Sequence, residues 1–143
     1  MTIAAILSRK GTSVVTIAPG ATMLQAMRLL MEHRIGGVVV TRRNAPIGIL
    51  TERDVLRIGA EDPALLASRT VESAMTSRLI TGDPEDSLQR VMDVMTENRI
   101  RHLPIVVDGK LVGIVSIGDV VNEARRAAES ENQHLRAYIY GAG

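Results

Sequence analysis

The apolar residues of this chain recur first at a helical period and then at a strand period. Thr22 is suited to cap a helix N-terminus, and four apolar side chains after it fall on one helical face. Short runs at 14–17, 38–40 and 47–50 are rich in apolar and β-branched residues and predict strands. The helical face that we expect to pack in the core carries Met23, Met27, Leu30 and Met31.

The same order of elements occurs a second time. Residues 15–56 align with residues 80–121 at a constant offset of 65 positions, without a gap, and the apolar positions agree in type. Such extended ungapped agreement indicates an internal repeat rather than chance. A shorter similarity precedes each copy, at 2–7 and 70–75. Identical pairs include Thr16 and Thr81, Pro19 and Pro84, Glu32 and Glu97, and Asp54 and Asp119.

Cap and turn residues place the boundaries of the second copy. Ser87 is a suitable N-cap, and the helix after it presents apolar residues at helical spacing. Asp108-Gly109 is a strong hairpin signal, whereas Asn44 is a weaker turn signal in the first copy. Pro46 must lie at a strand start or edge, because it has no N–H to donate. The strands predicted in the second copy are 79–81, 103–107 and 111–115.

Each copy therefore follows the order β-α-β-β-α, and the chain is predicted to be an α+β protein. The second helix of each copy begins near Thr51 or Ser116, and Asp62-Pro63 between the copies looks like a helix start. Residues 120–140 read as one long charged helix, and the glycines after it should fray. The expected organisation is a first repeat at 1–60, a connecting helical segment at 61–77, a second repeat at 78–125, and a C-terminal helix and tail at 126–143.

The composition excludes several classes of function. The chain has no cysteine, which rules out disulfides and thiolate metal sites, and its formal charge of +1 predicts no basic surface for nucleic acid. Its three histidines lack metal-ligand spacing. No apolar run reaches the ~20 residues of a membrane span, and the start lacks the features of a signal peptide, so we expect a cytoplasmic protein. Because the only aromatic residues are Tyr138 and Tyr140, a bound purine would have to lie between aliphatic side chains.

Two matched tetrads follow a predicted strand and open a helix: Thr51-Glu52-Arg53-Asp54 and Ser116-Ile117-Gly118-Asp119. One interpretation is a capping box, in which the hydroxyl and the carboxylate satisfy backbone N–H groups of the first turn. The other is a ligand site, because an ionised carboxylate accepts hydrogen bonds from ribose hydroxyls and a helix N-terminus suits a phosphate. The local pattern does not separate the two, and both can hold at once.

The repeated stretches RIGGVVV…PIGILTERDVLR (34–57) and RIRHLPIVVDGKLVGIVSIGDVV (99–121) resemble the cystathionine-β-synthase (CBS) domain family. The resemblance covers nearly the whole chain. It implies two CBS repeats packed as a pseudo-twofold pair with two clefts between them, and a homodimer formed by such pairs. It also implies that the clefts bind AMP, ADP or ATP, with NAD or S-adenosylmethionine as alternatives, and that no cofactor is required.

The same resemblance assigns ligand contacts in each cleft. The Ser/Thr-x-x-Asp motifs would contact ribose and phosphate, the first-strand segments would lie near adenine, and the residues before the second strand would contact phosphate. In the first copy these are Thr16, Ile17, Gly36, Gly37, Thr51, Arg53 and Asp54. In the second copy they are Thr81, Asp83, Arg101, His102, Ser116 and Asp119.

The two copies differ at the proposed phosphate contacts. Gly36-Gly37 offers backbone N–H groups, whereas Arg101-His102 offers a guanidinium and an imidazole. We therefore expect the cleft of the second copy to prefer the more phosphorylated ligand, with Arg53 compensating in part in the first. The alternative for both arginines is an ordinary solvated surface cation.

Three functions remain open from the residues. A regulatory module would bind an adenosyl ligand and signal to an effector protein through a change in the mutual orientation of the repeats. A structural or protein-interaction module would keep its clefts free of ligand. An enzyme is disfavoured, because no nucleophile and base stand together and no phosphate-binding P-loop is present.

Overall fold

The computed structural model describes residues 2–11 and 14–139. Helices and strands follow the predicted order, and the α+β class and the two repeats are confirmed. The first repeat comprises α1 (Ile3–Lys10), β1 (Thr16–Ile17), α2 (Met23–His33), β2 (Gly37–Arg42), β3 (Ala45–Thr51) and α3 (Glu52–Glu61). The remainder comprises α4 (Leu65–Ser68), α5 (Val71–Ala74), α6 (Leu88–Asn98), β4 (His102–Val107), β5 (Lys110–Ser116) and α7 (Ile117–Ile139).

Equivalent residues begin and end the first long helix of each repeat. Thr22 accepts a hydrogen bond from the Gln25 N–H, and Ser87 accepts one from the Arg90 N–H, both at 3.1 Å. The predicted N-caps are therefore confirmed. Arg34 and Arg99 end the two helices in the left-handed conformation, each at φ 54°. That conformation is uncommon for residues other than glycine, so the two copies share an unusual helix end.

The strands form one three-stranded sheet and one hairpin. In the first sheet β1 pairs parallel with β2, and β2 pairs antiparallel with β3, whereas β4 and β5 form a two-stranded antiparallel hairpin. The strand predicted at 79–81 is wrong. Only Gly82 bridges to Ile105 there, because the chain turns at once when the Asp86 carboxylate accepts a bond from the Asp83 N–H at 2.9 Å.

Both hairpin turns use residues at positive φ. Asp108 and Gly109 lie at 51° and 76°, and Arg43 and Asn44 lie at 53° and 65°. Two consecutive positive φ angles match the twist of the flanking strands, so both predicted turns are confirmed. Pro46 is the second residue of the edge strand β3, as its missing N–H requires.

Each repeat has its own buried core, and each core includes a helix from the segment that precedes the other repeat. We call these two helices, α1 and α5, the leading helices. Ile3 and Ile6 of α1 pack with the second repeat, and Val71 and Ala74 of α5 pack with the first. Leu7 and Met75 lie directly over the equivalent glycines Gly113 and Gly48. Helix α1 therefore packs in the core of the second repeat, although it precedes the first. The bounds expected for the four segments of the chain remain a prediction.

Two further expectations are corrected. Met31 is 76% exposed rather than buried, because Met23, Ala26 and Leu30 already fill the buried face of α2. The helix expected from Pro63 begins only at Leu65, because α3 continues to Glu61 and the Asp62 carboxylate then accepts a bond from the Ala64 N–H at 3.0 Å. The predicted long C-terminal helix is confirmed from Ile117 to Ile139, while Tyr140 and the final glycines lie outside the described residues.

Candidate functional site

A cavity of about 740 Å³ lies between the two repeats, and we call it the inter-repeat cavity. Its lining comes from the β3–α3 junction, the segment 76–80, the end of α6 and the start of β4. The lining residues are Gly36, Ile49, Thr51, Glu52, Arg53, Leu56, Thr76, Arg78, Leu79, Ile80, Met95, Thr96, Arg99, Ile100, Arg101, His102 and Pro104.

The β3–α3 junction supplies a hydroxyl and a helix N-terminus to this cavity. A carboxylate oxygen of Asp54 accepts bonds from the Thr51 N–H at 2.9 Å and from the Thr51 hydroxyl at 3.2 Å. The capping-box interpretation is thereby confirmed. Asp54 itself does not line the cavity. It lies behind Thr51, and its other oxygen is 3.4 Å from Arg57, so its predicted ribose contact remains a prediction.

Cationic side chains dominate the polar part of the lining. Four arginines line the cavity, and Glu52 is the one carboxylate residue among its lining residues. Guanidinium groups present rigid donors that match phosphate oxygens, so this electrostatic arrangement favours an anion. Sequence reasoning selected Arg53 and Arg101 but missed Arg78 and Arg99. The sequence did offer a signal for Arg99, because it is the repeat equivalent of Arg34, and each of these arginines follows the first long helix of its repeat.

The structure groups the candidate residues differently from the sequence-based expectation. Thr51 lies with the segment that precedes the second repeat, because Ile49 and Thr76 exchange two backbone hydrogen bonds of 3.0 Å. Arg101 and His102 line this same cavity. Their backbones also adjoin the second junction, because the Ile117 N–H donates to the Arg101 carbonyl oxygen at 2.9 Å and His102 pairs with Ser116. The candidates that the inter-repeat cavity brings together are Gly36, Thr51, Arg53, Arg101 and His102.

The remaining candidates lie elsewhere. Thr16 and Ile17 form β1 and pair with Val39 and Val40. Thr81 is exposed and Asp83 begins the turn that ends at Asp86. Gly37, Ser116 and Asp119 do not line the inter-repeat cavity either. Gly37 is buried beside His102.

His102 is the titratable group at the centre of the interface between the repeats. A Cβ atom on Gly36 would lie 3.5 Å from its ring, so the strand starts of the two repeats face each other there. Burial lowers the pKa of His102 below its ordinary value of 6.5, and the nearby carboxylate of Glu52 offsets this only in part. Burial therefore favours the neutral form of the ring.

Ser116 and Asp119 form the equivalent junction in the second repeat. The Asp119 carboxylate accepts from the Ser116 N–H at 2.9 Å, and the Ser116 hydroxyl accepts from the Asp119 N–H at 3.2 Å, so this is also a capping box. Burial alone would raise the pKa of Asp119. Hydrogen bonds from Lys10 and Ser116, together with the charge of Lys10, instead hold that pKa below its ordinary value of 3.8.

The β-α-β-β-α repeats, their pseudo-twofold arrangement and the cavity between them define a tandem pair of domains that share one cavity. The CBS domain profile matches residues 4–61 and 71–126. The chain therefore belongs to the CBS domain family, as a tandem pair.

Individual relatives agree with this assignment. The chain is 40% identical over 125 residues to the CBS domain-containing protein CBSX3, mitochondrial, of Arabidopsis thaliana, covering 84% of this chain and 61% of that protein. A crystal structure of a CBS-domain containing protein from Agrobacterium tumefaciens is 37% identical, with a TM-score of 0.82, covering 87% of this chain and 99% of that one. A CBS domain protein from Pyrobaculum aerophilum, solved in complex with AMP, is 28% identical with a TM-score of 0.74, covering 83% and 89%.

Two further findings concern residues 2–11 and 14–139. None of the helices described there is both long enough and apolar enough to cross a membrane. Nor do three or more metal-ligating side chains cluster in that part of the chain.

Proposed function

We propose that this chain is a regulatory module that binds an adenine nucleotide in the inter-repeat cavity and catalyses no reaction. The observation that carries the proposal is the cavity itself, about 740 Å³ in volume and lined by Arg53, Arg78, Arg99 and Arg101. Small-molecule sites are typically about 300–1,000 Å³, mostly apolar, with a few convergent polar groups. The inter-repeat cavity has this composition.

The lining residues divide by chemistry in a way that suits a nucleotide. Aliphatic side chains offer surfaces for a purine, and Tyr138 lies outside this lining. Thr51 offers a hydroxyl beside the N-terminus of α3, and the four arginines offer donors to phosphate oxygens. The aliphatic surfaces are those of Ile49, Leu56, Leu79, Ile80, Ile100 and Pro104.

The Pyrobaculum protein in complex with AMP supports an adenosine ligand for a chain of this fold. We place AMP, ADP and ATP first, with NAD and S-adenosylmethionine as further candidates. Binding would favour one mutual orientation of the repeats, and an effector protein would respond to the altered surface. We also propose that the module is a cytoplasmic homodimer.

The second candidate function is a protein-interaction module whose cavity stays free of ligand. The capping roles of Asp54 and Asp119 favour it, because capping accounts for both carboxylates without a ligand. Exposed Leu135, Tyr138 and Ile139 near the end of α7 also favour it, since exposed apolar side chains there are available to a partner.

Calorimetric titration distinguishes the two. AMP, ATP, NAD and S-adenosylmethionine would be titrated into the wild type, into Arg101→Met and into Arg125→Met. Arg125 is an exposed residue of α7 outside the cavity lining, so it controls for loss of one positive charge. Micromolar binding that Arg101→Met weakens about tenfold or more, with Arg125→Met unchanged, is expected. Absence of binding to the folded wild type would reject the nucleotide site and favour the interaction module.

A further inference from the structure

The carboxylate of the second capping box is already occupied by a side chain of this chain. The ammonium group of Lys10, the last residue of α1, lies 2.7 Å from the Asp119 carboxylate and 2.9 Å from the carbonyl oxygen of Ile114. Lys10 therefore supplies both a charge partner to Asp119 and a donor to the strand that precedes it.

The equivalent position in the first repeat is built differently. The segments 2–7 and 70–75 match at an offset of 68 positions, so Arg78 is the residue equivalent to Lys10, and Arg78 lines the inter-repeat cavity. The carbonyl of Ile49, which is equivalent to Ile114, accepts from the backbone N–H of Thr76 instead. The backbone thus satisfies at the first junction what the Lys10 side chain satisfies at the second, and the first junction keeps its cavity.

A second ion pair fixes the position of Lys10. Arg9 donates two hydrogen bonds to the carboxylate of Glu123 on α7, and Glu123 is only 2% exposed. The space beside Lys10 and Asp119 is a pocket of about 170 Å³ lined by residues of α1 and α7 alone. That volume lies below the roughly 300–1,000 Å³ of typical small-molecule sites.

The second junction also lacks one cation of the first, because Gly118 stands at the position equivalent to Arg53. Four arginines line the inter-repeat cavity, whereas the ammonium group of Lys10 at the Asp119 junction is directed to the protein's own carboxylate.

We infer that Lys10 is an internal cation that closes the Asp119 junction, so that each chain takes one nucleotide rather than two. This inference rests on the proposed function, because it concerns the number of ligands that the module binds. A ribose at Asp119 would have to displace a charged hydrogen bond, which weakens binding there by about tenfold to a hundredfold.

The test is the stoichiometry of AMP binding by calorimetry to the wild type, Lys10→Met and Arg125→Met. Methionine keeps an unbranched side chain and removes the positive charge of Lys10, and Arg125→Met removes a positive charge elsewhere on α7. We expect one AMP per chain for the wild type and for Arg125→Met, and a second, weaker event for Lys10→Met. Asp119→Ala in the Lys10→Met background should remove that second event. Thermal unfolding checks that each variant folds, and Lys10→Gln, which keeps a donor for Ile114, replaces Lys10→Met if that variant does not.

Each other result has a separate meaning. Two AMP molecules on the wild type would overturn the inference and leave the nucleotide site intact. One AMP on both the wild type and the folded Lys10 variants would show that Lys10 does not close the junction. No AMP on the wild type, with none on the variants, would reject the proposed function and the inference together.

Discussion

The imidazole ring of His102 lies directly against the backbone of Gly37. A Cβ atom on Gly37 would be 3.1 Å from Cγ of the ring and 3.2 Å from Nδ1. Gly37 and His102 are equivalent residues of the two repeats, so the pseudo-twofold arrangement places them face to face. The absence of a side chain at Gly37 therefore makes room for His102, which explains why the two copies differ here.

Gly37→Ala is expected to destabilise the protein, because the new methyl group would lie too close to a half-buried ring. Overpacking of this kind typically costs about 1–3 kcal/mol. Gly36→Ala is the matched control, since its methyl group would make only an ordinary 3.5 Å contact. Urea unfolding of both variants measures the difference, and Gly37→Ala with His102→Ala should recover part of the loss. Equal stability of the two single variants would contradict the packing argument.

Acidification is expected to destabilise the protein in two separate ranges. The pKa of His102 is lowered in the folded state, so the unfolded chain gains a proton first and stability falls as the pH drops below 6.5. The pKa of Asp119 is also lowered, so its contribution is present above 3.8 and is lost as the pH falls through its folded value. Urea unfolding as a function of pH checks both ranges.

Two variants assign those ranges. His102→Gln should reduce the loss of stability that begins as the pH falls below 6.5. Lys10→Met should reduce the loss of stability below pH 3.8. A wild-type curve that His102→Gln leaves unchanged would show that another group titrates in the upper range.

Arg9→Met is expected to lower the free energy of unfolding by about 2–4 kcal/mol, because it leaves the buried carboxylate of Glu123 without its partner. Arg9→Met combined with Glu123→Met should recover much of the loss, since no buried charge then remains unpaired. Arg126→Met is the control, because Arg126 is an exposed arginine that lines the same small pocket between α1 and α7 as Arg9 and Glu123. Chemical denaturation gives all of these values, and additive single effects would argue against a coupled pair.

Loss of a cavity arginine should weaken ATP binding more than AMP binding. Arg99→Met and Arg101→Met remove donors from the inter-repeat cavity, and ATP carries more phosphate charge for them to contact. The preference for ATP over AMP should fall by about tenfold for a lost charged hydrogen bond. Parallel calorimetric titrations with both nucleotides measure it. A uniform decrease for both ligands would indicate that the arginines contact only the phosphate that AMP and ATP share.

Local patterns in the sequence were sufficient to predict the helices and strands, but not to predict which elements pack against each other. Thr22, Ser87 and Asp108-Gly109 define caps and turns because their effect is limited to neighbouring residues. Met31 was misjudged because the width of the buried face depends on Ala26, whose small side chain gives little signal.

The grouping of the candidate site residues depends on contacts between residues that are far apart along the chain. Arg101 joins Thr51 because Ile49 pairs with Thr76 and because His102 packs on Gly37. The repeat showed which residues are equivalent, but it did not show which copy faces which junction. That information lies in the docking of the leading helices, α1 on the second core and α5 on the first.

The crossed positions of the two leading helices have a consequence for how such a chain could arise by duplication. Because α1 completes the second core and α5 the first, a single copy would lack a helix unless a second molecule supplied it. An ancestral single-repeat chain would therefore have folded as a reciprocally exchanged dimer. Fusion of two copies turns that exchange into an internal one. Cleavage between Glu61 and Leu65 would then leave two fragments that remain associated, each holding a helix the other requires.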